Sequence, residues 1–340
     1  MDELLIRIEG RAGRLTLNRP AALNALTHAM CLQTEAALNA WRDDPAVAVV
    51  ILDATGERAF CAGGDIAQVT AAGKAGDYAM GREFWRDEYR MNLLLSQYPK
   101  PIVSFLGGFV MGGGVGYGCH IRHRVVGEST QMAMPECGIG MIPDVGGTWL
   151  LGRAPGNLGL YLALTAARMG PGDAIHAGFA DAFVPEAEWP ALKAALCEAG
   201  QVTLPRHPTP ASPLAEAQAQ IDALFAGDSI PAILHALESD PSPLAGTALK
   251  ALRRNAPLSM ACALAMLRPA PASLRAALEQ EFRWTWRSMS HGDFIEGVRA
   301  QILDKDRNPR WQHARAEDVT LAEVAAMLAP LGADEWKDSA

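Results

Sequence analysis

The chain has 340 residues, 49% of them hydrophobic and 20% charged, with a formal net charge of -8. That is enough apolar material for one large domain or two ordinary ones, and it excludes disorder as the dominant state. The acidic balance argues against a nucleic-acid binder; no apolar run approaches the roughly 18 residues of a membrane helix, and the opening Met1-Asp2-Glu3-Leu4 carries no signal peptide, so a cytoplasmic protein is expected.

The chain opens as a hairpin. Leu4–Ile8 and Arg14–Leu17 are strand-like, with Glu9–Gly13 as the turn. Asn18-Arg19-Pro20 breaks the second strand, and Leu23, Leu26, Met30, Ala37, Leu38 and Trp41 then share one helical face up to Asp43-Asp44-Pro45. Val47–Leu52 is a continuous apolar run that suits a strand buried on both faces. A glycine-rich turn, Phe60–Ile66, follows it. Residues 77–98 have helical spacing, with Tyr78, Phe84, Trp85, Tyr89, Met91 and Leu94 as the apolar positions. A second buried strand, Ile102–Leu106, runs into Gly107-Gly108 and then Gly112-Gly113-Gly114. Gln131–Met134 is a short strand, followed by Pro135-Glu136 and a loop to Gly147.

From about 200 to 245 the composition shifts to Pro, Ala and polar residues, a boundary or helical linker zone. Leu274, Leu278, Phe282, Trp286 and Met289 then form one face of a long helix, and residues 318–331 are helical again. Strands and helices alternate to about 190 and helices alone follow. The pattern predicts an α/β core over 1–200 and an α-helical C-terminal region over 201–340.

The 32 glycines concentrate between residues 56 and 178. Two clusters, Gly63-Gly64 and Gly112-Gly113-Gly114, follow strands about 50 residues apart. Bare backbone lets N–H groups approach a ligand closely. One such turn can hold a phosphate, two converging turns can stabilise an oxyanion, and either can be only a tight turn. No Walker loop, no G-x-G-x-x-G with an acid at the dinucleotide spacing and no G-x-S-x-G is present. The loop Met134–Gly147 places Glu136 and Asp144 in an apolar run. They read either as a functional pair with separated pKa values or as two solvated loop acids. The six cysteines form no Cys-x-x-Cys and read as reduced thiols; Cys119-His120 with His123 lacks a second ligand pair, so no metal is expected.

Taken in order and spacing, Ala59–Ile66, Met111–Gly116, Ala133–Glu136 and Ile142–Gly147 resemble the crotonase (enoyl-CoA hydratase/isomerase) superfamily, and within it the branch of 3-hydroxyisobutyryl-CoA hydrolases. The resemblance spans nearly the whole chain and extends to Phe84–Tyr89, His291–Ala300 and Asp304-Lys305-Asp306. It implies a crotonase (ClpP-like) α/β fold of stacked β-β-α units with a helical C-terminal region. It also implies that the Gly64 and Gly113 amides form an oxyanion hole for an acyl-CoA thioester and that Glu136 is the catalytic glutamate. Ala62, Gly64, Asp65 and Ile66 would contact the CoA adenine and pantetheine.

One departure separates the branches. Hydratases carry a second glutamate two residues after the triple glycine, where this chain has Gly116. Asp144 stands where hydratases usually have glycine, as in the hydrolase branch. Glu88 matches an acid that contacts substrate there; on its own it reads as a solvated helix acid. The implied reaction is hydrolysis of 3-hydroxyisobutyryl-CoA to 3-hydroxyisobutyrate and CoA, a step of valine breakdown. Glu136 would act as nucleophile through a mixed anhydride, or as general base on water. Asp144 would orient the 3-hydroxyl or assist proton transfer. The implied partner is an acyl-CoA, with CoA part of the substrate and no separate cofactor, no nucleic acid and no membrane; a homo-oligomer is left open. An enoyl-CoA hydratase or isomerase using Glu136 alone is the second reading. A non-catalytic acyl-CoA-binding protein is the third, and the retained glycines and acids speak against it.

Overall fold

The computed structural model describes residues 2–338. The hairpin forms as its alternation predicts: β1 (Leu4–Glu9) and β2 (Ala12–Leu17) pair antiparallel, with Leu4 opposite Leu17. The first helix starts later than its apolar pattern predicts. α1 runs His28–Trp41 and is capped by the Thr27 hydroxyl, which accepts from Met30 N at 3.3 Å. Leu23 and Asn24 lie in the left-handed region, φ 51° and 55°, which no right-handed helix continues. Leu26 is buried by a loop rather than by the helix.

β3 (Val49–Ala54) is buried from Val49 to Asp53, on both faces, as its apolar run requires. β4 (Ala59–Cys61), α2 (Ala67–Lys74), α3 (Ala79–Gln97), β5 (Ile102–Leu106), β6 (Phe109–Met111), α4 (Gly113–Cys119), β7 (His123–Val126) and β8 (Gln131–Ala133) follow. Next come α5 (Gly147–Leu151), α6 (Leu158–Thr165), α7 (Pro171–His176), β9 (Ala182–Phe183) and α8 (Trp189–Ala199).

The strands make two sheets. The larger has the order β1-β2-β3-β5-β7-β9, parallel except for β1; the smaller is β4-β6-β8, all parallel. Each of the pairs β3/β4, β5/β6 and β7/β8 gives one strand to each sheet. This repeat of strand pairs is the stacked β-β-α plan. Ala12, Val49, Ile51, Val103, Phe105 and Val125 line one side of the large sheet, and Leu192 and Leu196 of α8 cover them. Period-two alternation along parallel strands puts these side chains on a common face.

By contacts the chain forms two units, each built from separate stretches. One comprises residues 1–64, 87–133 and 168–215; the other comprises 65–86, 134–167 and 216–340. The division expected at residue 200 is one of sequence. All nine strands of the described residues belong to the first unit. The second is helical: beyond residues 201–212, which form neither helix nor strand, it carries α9 (Pro213–Glu216, shared with the first unit), α10 (Gln218–Leu224), α11 (Ile230–Ser239), α12 (Pro243–Arg254), α13 (Pro257–Leu267), α14 (Leu274–His291), α15 (Phe294–Val298) and α16 (Leu321–Leu328).

α14 keeps its expected face with one exchange. Trp284, not Trp286, is fully buried; Trp286 is half-buried and stacks its ring 3.9 Å from the Arg82 guanidinium.

Candidate active site

In the first unit, β4 ends at Cys61 and the chain enters the turn Ala62-Gly63-Gly64. Two backbone bonds hold the turn against the segment before α1: Ala62 N donates to Leu23 O at 3.1 Å and Leu26 N to Gly63 O at 2.9 Å. That explains why Leu23 and Leu26 are not helical. β6 ends at Met111, and Gly113 opens α4, so its N–H has no acceptor within the helix. The Gly64 amide has no backbone acceptor among the described residues.

The two turns meet. A Cβ on Gly113 would stand 3.1 Å from Gly64 N and 2.9 Å from Glu88 Oε1. Only glycine leaves this space clear. A Cβ on Gly114 would overlap the Cys61 carbonyl oxygen, so that glycine is needed for α4 to approach β4 at all.

Glu88 is 2% exposed. It is therefore not a solvated helix acid; a buried carboxyl group costs free energy unless it is paired or hydrogen-bonded. Burial pushes the nearby Cys61 thiol up to about 12, and the Glu88 charge adds to the shift. Asn92, one turn further along α3, is fully buried with neither end of its carboxamide bonded within the described protein. Ala62, Gly64, Asp65 and Ile66 are all half-buried; Asp65 and Ile66 lead into α2, where the Thr70 hydroxyl donates to Ile66 O at 2.8 Å.

Glu136 and Asp144 belong to the second unit. They are 5% and 6% exposed, which removes the reading of two solvated loop acids. Glu136 opens a 3-10 turn, Glu136–Ile139, that closes at Gly140 with φ 72°. The turn is gripped by its surroundings. Cys137 O accepts from Ala256 N at 2.9 Å, Gly140 packs on the Asp293 backbone, and Gly297 packs on the Ile139 carbonyl. The His291–Ala300 motif thus supplies backbone packing for the turn that carries Glu136. The same motif's Arg299 also joins Glu296, Asp304 and Asp306 in an exposed ionic cluster.

Asp144 leads a tight turn in which Gly147 N donates to Asp144 O at 2.6 Å. Glu281, from α14, meets this turn and is completely buried. Sequence reasoning missed it, although a signal was present: Glu281 falls between Leu278 and Phe282 on the apolar face. Burial pushes its carboxyl up to about 8. The donors from Thr148 pull against that shift, and the Asp144 charge adds to it.

A cavity of about 800 Å³ also opens in the first unit, under α8, beside Arg14, Asp53, Phe105, Trp189 and Lys193. Of the motif residues Ala59 and Phe60 line it, but Gly64, Glu88, Gly113, Glu136 and Asp144 do not, so its size does not mark it as the site of the chemistry.

The family model for enoyl-CoA hydratase/isomerase matches residues 12–328. The mitochondrial 3-hydroxyisobutyryl-CoA hydrolase of Gallus gallus is 38% identical over 98% of this chain and 91% of its own length. That of Xenopus tropicalis is 39% identical over the same shares. The solved structure of an enoyl-CoA hydratase from Rhodobacter sphaeroides is 56% identical with a TM-score of 0.97, covering 99% of this chain and 100% of that one. A carnitinyl-CoA dehydratase from Mycobacterium thermoresistibile is 44% identical with a TM-score of 0.90 over 97% of each chain.

Proposed function

This chain belongs to the enoyl-CoA hydratase/isomerase family, and from that premise we propose that it hydrolyses the thioester of 3-hydroxyisobutyryl-CoA, releasing 3-hydroxyisobutyrate and CoA. One observation carries the choice within the family. Position 116, where hydratases bear their second glutamate, is a glycine buried inside α4, while position 144 bears a buried aspartate. Adding water across a double bond with two acids lacks one acid here. Opening a thioester needs an oxyanion stabiliser and one carboxylate to bring or activate the nucleophile.

In this reading the Gly64 and Gly113 amides receive the thioester oxygen as it becomes an oxyanion. The glycine pairing in the first unit supports this, since both N–H groups border space that a side chain would fill. Glu136 attacks the carbonyl carbon to give a mixed anhydride, with CoA leaving as the thiolate, and water then opens the anhydride to release the acid and restore Glu136; or Glu136 takes a proton from water that attacks the thioester directly. Asp144 orients the 3-hydroxyl or assists the proton transfer. Glu88 contacts the acyl group, and Ala62, Asp65 and Ile66 contact the CoA. No cofactor is needed, because CoA arrives and leaves as part of the substrate. The product fits a place in valine breakdown.

The 56% identity to a structure titled enoyl-CoA hydratase favours a second reading, hydration or isomerisation with Glu136 alone. Two assays separate them. Free thiol released from 3-hydroxyisobutyryl-CoA, with no loss of the crotonyl-CoA chromophore, is the expected result. Rapid chromophore loss without thiol release overturns the hydrolase reading.

Among the described residues no helix is long and apolar enough to cross a membrane. The curated relatives above are mitochondrial by name, and a cytoplasmic location stays a proposal.

A further inference from the structure

The turn that carries Asp144 has an unusual backbone. Val145 and Gly146 are consecutive left-handed residues, φ 52° and 78°. For a β-branched residue such as Val145 this conformation is a genuine outlier, and it persists only where surrounding structure holds it. The turn sends Gly147 N back to Asp144 O and leaves the N–H groups of Gly146 and Thr148 as a main-chain receptor for oxygen acceptors.

One group fills that receptor. Gly146 N donates to Glu281 Oε2 at 2.7 Å, and Thr148 N donates to Glu281 Oε1 at 2.9 Å. The Thr148 hydroxyl reaches the same Oε1 at 2.5 Å. Both carboxyl oxygens are spent on this one turn. The surrounding face of α14, with Leu278, Phe282 and Thr285, is buried. A carboxyl there is costly unless its bonds are needed.

We infer that Glu281 is a positioning residue: reaching from α14, it sets the backbone of residues 144–148 and thereby the direction of the Asp144 side chain. The inference rests on the role proposed for Asp144 and adds the device that aims it. It also gives the long C-terminal region a catalytic consequence, since the residue that aims Asp144 lies about 135 positions further along the chain.

Glutamine has the volume of glutamate, but its NH2 end cannot accept, whereas each carboxyl oxygen accepts with or without the proton, so E281Q leaves one N–H of the turn facing an NH2 group. The test is a double-mutant cycle of E281Q and D144N, read as kcat/KM for CoA release from 3-hydroxyisobutyryl-CoA, with circular dichroism confirming the fold. E281Q is expected to lose at least about tenfold in the parent and no more than about twofold in the D144N background. A purely structural role gives equal losses in both backgrounds, and that result overturns the inference. So does an E281Q variant with full activity beside an impaired D144N. A fully active D144N removes Asp144 from the reaction, and then the proposed role and this inference fall together. If E281Q does not fold, Thr148→Val removes one of the three donors at nearly constant volume. A severalfold loss with Asp144 present and none in the D144N background is then expected, and no loss in either overturns the inference.

Discussion

Gly297 lies so close to the Ile139 carbonyl oxygen that a Cβ on Gly297 would overlap it, well inside the separation real Cβ atoms show. The relationship ties α15 to the 3-10 turn that begins at Glu136. It gives the C-terminal Gly-Val-Arg segment a physical meaning that its residue types alone do not disclose.

Gly297→Ala therefore has to separate two backbones that cannot yield as a side-chain tip would. We expect a loss of about 1–3 kcal/mol in unfolding free energy, the usual range for overpacking. Turnover should also fall, because the displaced element carries Glu136. Chemical denaturation with unchanged slope checks the first part; an unaltered midpoint refutes it.

Gly113 and Gly114 are adjacent, yet their alanine variants should fail differently. At 114 the added methyl meets the Cys61 carbonyl oxygen, so Gly114→Ala is expected to destabilise by about 1–3 kcal/mol. At 113 it meets the end of the Glu88 side chain and the Gly64 amide, and the side chain can shift. Gly113→Ala should keep most of its stability and lose about a hundredfold or more in kcat, because the methyl, not a lost N–H, blocks the space beside the Gly64 amide and so costs as much as an oxyanion donor. Thermal melts and CoA-release kinetics on both variants check the contrast; matched behaviour contradicts it.

Glu136→Gln is expected to abolish CoA release while leaving CoA affinity largely intact, since the amide keeps the shape and loses both nucleophile and base. Isothermal titration with CoA and a thiol assay measure the two halves. Unchanged turnover sinks the assignment of Glu136.

Glu281 makes stability depend on pH. Its carboxyl is held at about 8 in the folded protein against an ordinary 4.5. A raised pKa means the folded state binds the proton more tightly. The associated stability is complete below pH 4.5 and is lost as pH rises through 8. A tenfold difference in proton affinity between folded and unfolded chains is worth about 1.4 kcal/mol, which makes the effect measurable. The melting temperature of the parent should fall between about pH 6 and pH 9 more steeply than that of E281Q, which has no proton to lose. Parallel curves contradict this.

Much of the core was legible because its physics is local. Alternation marks the β1–β2 hairpin, and a continuous apolar run marks β3 as buried on both faces. Glycines mark the Gly64 and Gly113 turns because a missing side chain is visible in any sequence. The start of α1 was misplaced because Leu23 and Leu26 are apolar for a non-local reason: they pair with the glycine turn after β4.

Sequence alone marked the β1–β2 hairpin, the buried strands β3 and β5, the candidate acids Glu136 and Asp144, and the glycine at 116, while β4, β6, β7 and β9 went unread. Tertiary structure decided which groups are out of water. Glu88, Glu136 and Asp144 each had a reading as a solvated acid, and burial removed it. It also decided which distant groups meet. Glu281 on the turn after Asp144 and Gly297 on the turn after Glu136 are contacts across more than 130 residues. Periodicity reports which face of a helix is buried, but it carries no information about what that face is buried against.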